Sequence, residues 1–234
     1  MGTNLTIFSH ICPRFEHTVR KRIMTEVQKL ITFNSLLTRI QEIPSFKKPE
    51  VGLEQYPTSD ELITELLLLA SFTFNDVRDK RVIDLGCGTG KMGLGAAMLG
   101  ATRVLLIDIS KEAIMSGKMA TQRNKQVRID WLIQPVETLV THTFHKSFDT
   151  VFMNAPFGSR RKGIDHCFLR KALDLAPVVY SIQSHFTPIP KSQENTERII
   201  ATKLFDRFIK IPKVFRFHQR EKSWVKVRIY RYTS

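Results

Sequence analysis

The sequence predicts an α/β chain: a mostly parallel sheet flanked by helices, with an antiparallel hairpin at the C-terminal end and a helical extension at the N-terminal end. Three observations carry this. From Arg81 onward, short runs rich in Val, Ile and Leu alternate with longer stretches of helical period, the pattern of βα units whose strands pair in parallel. A glycine-rich turn, Asp84-Leu85-Gly86-Cys87-Gly88-Thr89-Gly90, joins the first of these runs to its helix. Past the last helix, two strand-like runs follow one another with only a polar connection between them.

The extension occupies residues 1–45. Val19, Ile23, Val27, Leu30, Ile31, Leu37 and Ile40 fall at helical spacing there and predict a helix between Phe15 and Ile43. Arg14, Arg20, Lys21 and Arg22 lie early in it, but Glu16, Glu26 and the scarcity of serine argue against a transit peptide. Met24 is a second candidate start, and translation from it would leave residues 1–23 outside the protein. Pro44 through Pro49 reads as a linker into the main domain, residues 46–234. Thr58 or Ser59 caps a helix reaching Ser71, with Asp60 and Glu61 well placed against the dipole in its first turn.

Arg81 to Leu85 then reads as a buried strand, and Met92 to Leu99 as a helix stopped by Gly100. Arg103 to Ile107 is the next strand, followed by a helix from Lys111 to Arg123 and a strand from Ile129 to Ile133. Phe148 to Met153 is a fourth strand, Asp165 to Leu175 a helix and Pro177 to Ile182 a fifth strand. The hairpin is expected from Ile209 to Phe217 and from Trp224 to Tyr232.

A chain of 234 residues is large enough to bury a core, and 42% hydrophobic with 25% charged residues is ordinary for a globular protein. The charge balance is not: 36 Lys+Arg against 22 Asp+Glu gives a net charge of +14, which attracts polyanions, nucleic acid foremost. Cys12, Cys87 and Cys167 are scattered without CxxC spacing, so neither a zinc site nor a disulfide framework is expected, and the compartment is a reducing one. No metal and no membrane are expected, since no apolar run approaches the roughly 20 residues a membrane span needs.

Two segments carry chemistry. Glycines between a first strand and its helix allow tight backbone and close approach of a ligand, and the helix N-terminus adds oriented N–H groups. The order here departs from the G-x-G-x-x-G dinucleotide fingerprint, and Asp84, Gly86, Gly88, Thr89 and Gly90 resemble the turn typical of methyltransferases, where a methionine moiety takes the place of a pyrophosphate. A nicotinamide cofactor fits the same geometry, but nothing later in the chain supports hydride transfer. Asp108, ending the second strand, is placed to accept hydrogen bonds from ribose hydroxyls; its competing role is to cap the next helix, which Ser110 can do instead.

The second segment is Asn154-Ala155-Pro156-Phe157, directly after the fourth strand. Residues of this kind also suit a plain turn, but ligands of open α/β sheets bind at the carboxyl ends of the strands. An exocyclic base amine is a poor nucleophile because its lone pair is delocalised into the ring. The Asn154 side-chain oxygen and the Ala155 carbonyl are acceptors that favour a pyramidal nitrogen. Pro156 shapes the turn, and Phe157 is expected to stack on the base for roughly 1–3 kcal/mol. Arg160, Arg161 and Lys162, with Arg216, His218, Arg220 and Lys222 interleaved with Phe215, Phe217 and Trp224, suggest a surface that tracks phosphates and stacks bases.

These motifs resemble the N6-adenine methyltransferases with an [Asn/Asp/Ser]-Pro-Pro-[Phe/Tyr/Trp] signature. In more detail the chain is similar to the eukaryotic small-subunit ribosomal RNA adenosine N6-methyltransferases, the methyltransferase-like protein five family. The likeness runs in order over residues 33–234. Its matching segments include Leu53-Glu54-Gln55-Tyr56-Pro57-Thr58, Asp84-Leu85-Gly86-Cys87-Gly88, Ala97-Met98-Leu99-Gly100-Ala101, Met153-Asn154-Ala155-Pro156-Phe157-Gly158, Lys162-Gly163-Ile164-Asp165 and Tyr180-Ser181. The resemblance implies a Rossmann-like S-adenosylmethionine-dependent methyltransferase fold and S-adenosyl-L-methionine as cofactor. It implies that Gln55 and Thr58 lie at the methionine end, that Gly86, Thr89 and Asp108 touch the cofactor, and that residues 154–157 hold the target adenine. It also implies ribosomal RNA as substrate, a small zinc-binding activator subunit as partner in a heterodimer, and work in the nucleus, the cytoplasm or both.

Three residues depart from that family. Ala155 stands where the family has proline, Pro135-Val136 where it has an Asp-Val pair whose acid bonds the cofactor's adenine amine, and Gln183 where it has histidine. Gln134 or Glu137 is then the acceptor left for that amine. Two other readings follow from the same residues: a methyltransferase acting on a protein glutamine or asparagine amide, whose planar nitrogen poses the same problem, and an RNA-binding scaffold that has lost catalysis.

Overall fold

A computed structural model describes residues 30–46, 49–55, 57–121, 127–157, 161–184, 186–188, 198–212 and 222–234. A helix over 30–41 (α1) comes first. Helix α2, Asp60–Leu68, continues through a wider turn at Leu69–Thr73, and Ser59 caps it by accepting from the Leu62 N–H at 3.3 Å. Then come β1 (Arg81–Leu85), α3 (Lys91–Met98), β2 (Arg103–Asp108), α4 (Lys111–Thr121), β3 (Arg128–Ile133), β4 (Thr150–Met153), α5 (Ile164–Leu175) and β5 (Val178–Gln183). Two long strands, β6 (Ile200–Pro212) and β7 (Lys222–Thr233), end the chain.

One sheet holds all the strands in the order β3-β2-β1-β4-β5-β7-β6. The first five pair in parallel, and β7 runs antiparallel to both β5 and β6. The chain winds outward from β1 through β2 to β3, then crosses back to β4 on the other side. The strand order therefore reverses between β1 and β4, and a crevice opens at their carboxyl ends.

Each face of the sheet has its own apolar layer. On one, α1, α2 and α3 bring Ile40, Leu66 and Leu67, all fully buried, against Val82, Val104, Val227 and Ile229. On the other, α5 brings Phe168, Leu169 and Leu173 against Ile83, Val151, Val179 and Tyr232. Leu36, Ile40 and Ile43 belong to the first layer, so the helix over 30–41 is packed into the same core as the strands.

Most predicted elements fall within a residue or two of their expected ends. Two differ more. Strand β4 starts at Thr150 rather than Phe148, because the Phe148 N–H is taken by the Leu175 carbonyl at 3.2 Å. Strand β6 begins at Ile200, well before the expected Ile209, because a register shift between Lys203 and Phe205 breaks the two-residue alternation that marks a strand. The expected hairpin connection falls largely outside the described residues, as do residues 1–29 of the extension.

Candidate active site

A cleft of about 1150 Å³, open to solvent, lies at the β1–β4 crevice. The glycine turn forms its floor. The Gly86 and Cys87 N–H groups both donate to the Ile107 carbonyl at 2.9 Å, which folds the turn back over the end of β2. Gly88 and Gly90 have φ of +56° and +87°, in the region where a side chain is strained. The Gly88 N–H donates to Asp108 Oδ2 at 2.7 Å, and the Ser110 N–H to Asp108 Oδ1 at 2.7 Å. Each carboxylate oxygen thus accepts from a backbone N–H, the Ile109 N–H adds to these two, and Asp108 lines the cleft. Burial pushes the Asp108 carboxyl up, and those N–H groups oppose the rise. Helix α4 takes its cap from Ser110, whose Oγ accepts from the Ala113 N–H at 3.3 Å, so Asp108 is not needed for that role.

Of the expected cofactor residues, Gln55, Thr58, Gly86, Gly88, Thr89, Asp108, Pro135 and Val136 line this cleft. Asp84 and Gly90 stand behind its wall. Asp84 is fully buried, with Oδ2 accepting from the Gly93 N–H at 2.9 Å at the start of α3, so its carboxylate is turned into the strand–helix junction. Among the described residues its Oδ1 has no partner. Burial, with a smaller push from Asp108, raises its pKa to about 7. Gly90 serves packing: a Cβ there would lie 2.6 Å from the Trp131 ring.

The expected catalytic tetrapeptide divides between two spaces. Asn154 and Pro156 face the large cleft, whereas Ala155 and Phe157 lie, with Pro156 again, on a smaller neighbouring pocket of about 210 Å³. Phe157 does not line the large cleft; its ring also packs on the apolar layer of α1 to α3. Asn154 Nδ2 donates to Thr58 Oγ1 at 2.7 Å, which ties the Leu53–Thr58 segment to the end of β4. The other side of that amide is bare: Asn154 Oδ1 is buried and has no partner among the described residues.

A connected set of hydrogen bonds builds the smaller pocket. Gln183 Nε2 donates to Ser181 Oγ and Tyr232 Oη, both at 3.0 Å, while its Oε1 accepts from the Thr187 N–H at 3.0 Å. Thr187 Oγ1 donates to Asp165 Oδ2 at 3.0 Å. The loop after β5 is thereby fastened to the start of α5.

At the far end of the cleft Pro135 starts the short turn Val136–Thr138. Gln134 is folded back on this turn, its Nε2 donating to the Thr138 carbonyl and Oγ1 at 3.2 and 3.1 Å, and it does not line the cleft. Glu137 does line it, paired with Arg161 at 2.7 Å. Arg161 is therefore a cleft residue, and Lys162 is exposed beside it. Lys222 opens β7, and Arg160, Arg216, His218 and Arg220 lie outside the described residues.

Sequence reasoning missed Ser45, Phe46, Lys91 and Phe168 in the cleft wall. The Phe46 ring sits over the glycine turn, where a Cβ on Gly88 would come within 2.6 Å of it. A single aromatic in a proline-flanked linker carries no periodic signal. Lys91 is neutralised by Asp60 at 2.6 Å, a pairing visible only once α2 and α3 are side by side. Among the described residues no three His, Cys, Asp or Glu side chains gather as a metal site, and no helix is long and apolar enough to cross a membrane.

The methyltransferase-domain family profile matches residues 76–204. The chain is 31% identical over 201 residues to the rRNA N(6)-adenosine-methyltransferase METTL5 of Danio rerio, covering 83% of this chain and 95% of that protein. It is 32% identical over 150 residues to the rRNA N(6)-adenosine-methyltransferase Mettl5 of Drosophila melanogaster, covering 63% of this chain and 70% of the relative. Among solved structures, a candidate RNA methyltransferase from Pyrococcus horikoshii superposes with a TM-score of 0.69 at 32% identity, covering 86% of this chain and 96% of that one.

Proposed function

We propose, for a chain that belongs to the METTL5 family of rRNA N6-adenosine methyltransferases, that it methylates the N6 amine of an adenosine in small-subunit ribosomal RNA. The observation that carries this reading is Asn154: a buried acceptor with no partner among the described residues, held in place by Thr58 at the wall of the open cleft. A buried acceptor left unmade costs about 1–3 kcal/mol, so its presence at this edge of the sheet calls for a donor from outside. The amine of adenine is such a donor. Asn154 Oδ1 accepts a hydrogen bond from it and the Ala155 carbonyl is the second acceptor, leaving the lone pair free, while Pro156, which lines both spaces, packs against the ring and Phe157 backs it from the smaller pocket.

The cleft fits S-adenosyl-L-methionine as cofactor. Asp108 is the acceptor for ribose hydroxyls, the glycine turn allows close approach, and Gln55 and Thr58 close the methionine end. When bound, that cofactor supplies a sulfonium-activated methyl group. Glu137, rather than Gln134, is the acceptor that faces the cleft where the family's acid would stand.

An activator subunit is the proposed partner. Leu132 and Ile133 on the edge strand β3, with Ile109 after β2 and Met115 and Met119 on α4, are exposed large apolar residues, which suit a covering partner. This work belongs to the nucleus or cytoplasm, where ribosomal RNA is made and used. The deciding experiment is mass spectrometry of ribosomal RNA nucleosides from cells lacking the protein. Loss of one N6-methyladenosine, restored by the wild-type gene but not by Asn154→Ala, is the expected result; an unchanged level would sink the reading. Calorimetry should show that Asn154→Ala still binds S-adenosyl-L-methionine.

A further inference from the structure

The β6–β7 hairpin has two unlike faces. Ile209, Val227 and Ile229 turn into the apolar layer of α1 to α3. Strand alternation and the register place Lys203, Asp206 and Phe208 of β6, and Trp224, Lys226 and Arg228 of β7, on the opposite face. There Phe208 and Trp224 are 65% and 66% exposed. Two large rings this exposed on neighbouring strands are uncommon, and cations flank these. Lys226 and Lys203 reach the same Asp206 carboxylate, at 2.8 and 3.7 Å, and this one acid leaves the face with net positive charge.

The face also leads to the active site. The Arg228 guanidinium donates to the Ser184 carbonyl, and Ser184 lines the smaller pocket with Pro156 and Phe157. Beside it the Phe186 ring, 46% exposed, packs on Tyr230 with centroids 5.3 Å apart. A stripe of Phe186, Arg228, Lys226, Phe208 and Trp224 thus runs from the rim of that pocket outward, covering about 13 Å from Arg228 to Trp224 at roughly 3.3 Å per residue.

We propose that this face is the track for unpaired RNA flanking the target adenosine, with bases stacked on Phe208 and Trp224 and phosphates against Lys203 and Lys226. The inference rests on the RNA reading of the active site and deepens it. Flat rings spaced by cations suit a polymer that alternates bases with phosphates, and stacking tolerates any base. The cores of protein–protein interfaces are depleted in charge, unlike this stripe, and a net charge of +14 favours a polyanion.

The test uses the full chain, a single-stranded RNA oligonucleotide carrying the target adenosine in unmethylated form, and fluorescence anisotropy over a salt series. Replacing the rings, Phe208→Ala with Trp224→Ala, should weaken RNA binding by about tenfold or more and raise KM for RNA alike. The kcat at saturating RNA and the affinity for S-adenosyl-L-methionine should stay as in wild type. Lys203→Gln with Lys226→Gln, at exposed positions that spare the core, should flatten the slope of log K against log salt by about 1.4, near 0.7 per lost phosphate contact. If wild type binds and methylates RNA while both double variants match it in Kd, KM and salt slope, the track is overturned and the proposed function stands. If wild type neither binds nor methylates RNA, both fall. If the variants lose only a co-purifying protein, the face belongs to that protein and the inference is overturned.

Discussion

Asn154 holds one side of its amide on Thr58, and the other side has no partner among the described residues. The Thr58 hydroxyl therefore fixes which way the acceptor points. Thr58→Val removes that bond with little change of volume and should lower kcat by about three- to tenfold, in keeping with a single hydrogen bond, while Thr58→Ser restores it. Single-turnover methylation assays would measure both, and unchanged kcat in Thr58→Val would refute the positioning role. Asp84 makes a different demand. Its carboxyl is raised from 3.8 to about 7 by burial, so the folded protein holds this proton more tightly than the unfolded chain does. Its contribution to stability is then fullest below about pH 4 and is lost as pH rises through about 7. Asp84→Asn keeps an acceptor for the Gly93 N–H, and its Tm should fall less between pH 4 and 8 than that of wild type; parallel melting curves for the two proteins would contradict this.

At the scale of elements, helix α4 crosses the glycine turn at Gly117. A Cβ there would meet the Thr89 carbonyl oxygen at 2.3 Å and the Trp131 ring at 2.5 Å. The contact is with backbone, which cannot turn aside, so Gly117→Ala should shift the turn. A stability loss of about 1–3 kcal/mol by urea unfolding is expected, together with weaker cofactor binding by calorimetry. Helix α1 is tied to the sheet by Ile40, fully buried against α2 and α3. Ile40→Ala should cost about 2–5 kcal/mol. A loss of well under 1 kcal/mol in urea unfolding would mean that this helix is not part of the cooperative core. The strands and helices themselves were readable from the sequence because their signals are local: two-residue and helical periods, Gly100 as a stop, Ser59 as a cap. The early half of β6 was not, because the bulge after Lys203 erases its period.

For the molecule as a whole, the two ends of the sheet carry unlike surfaces. The C-terminal end of β3 exposes Leu132 and Ile133, and the β6–β7 end is basic and aromatic. A cationic enzyme with these apolar residues uncovered should associate or precipitate when expressed alone. Met119→Lys with Leu132→Lys should raise the monomer fraction in light scattering and weaken capture by the proposed activator subunit, without changing cofactor affinity. Precipitation that persists unchanged in this double variant would show that another surface is responsible.

The sequence by itself determined the order of βα units, the place of the glycine turn, the acid ending β2 and the Asn154–Phe157 segment after β4, because each depends on residues close together in the chain. It also pointed toward a polyanion, since net charge requires no fold. Only the tertiary structure decided which of these residues share a space. It turned Asp84 and Gly90 behind the cleft wall, set Phe157 on the smaller pocket, chose Glu137 over Gln134, brought Phe46 over the turn and joined Thr58 to Asn154. The physical reason is that these outcomes rest on contacts between segments far apart in sequence. Which way a side chain points there is settled by packing against partners that no local pattern encodes.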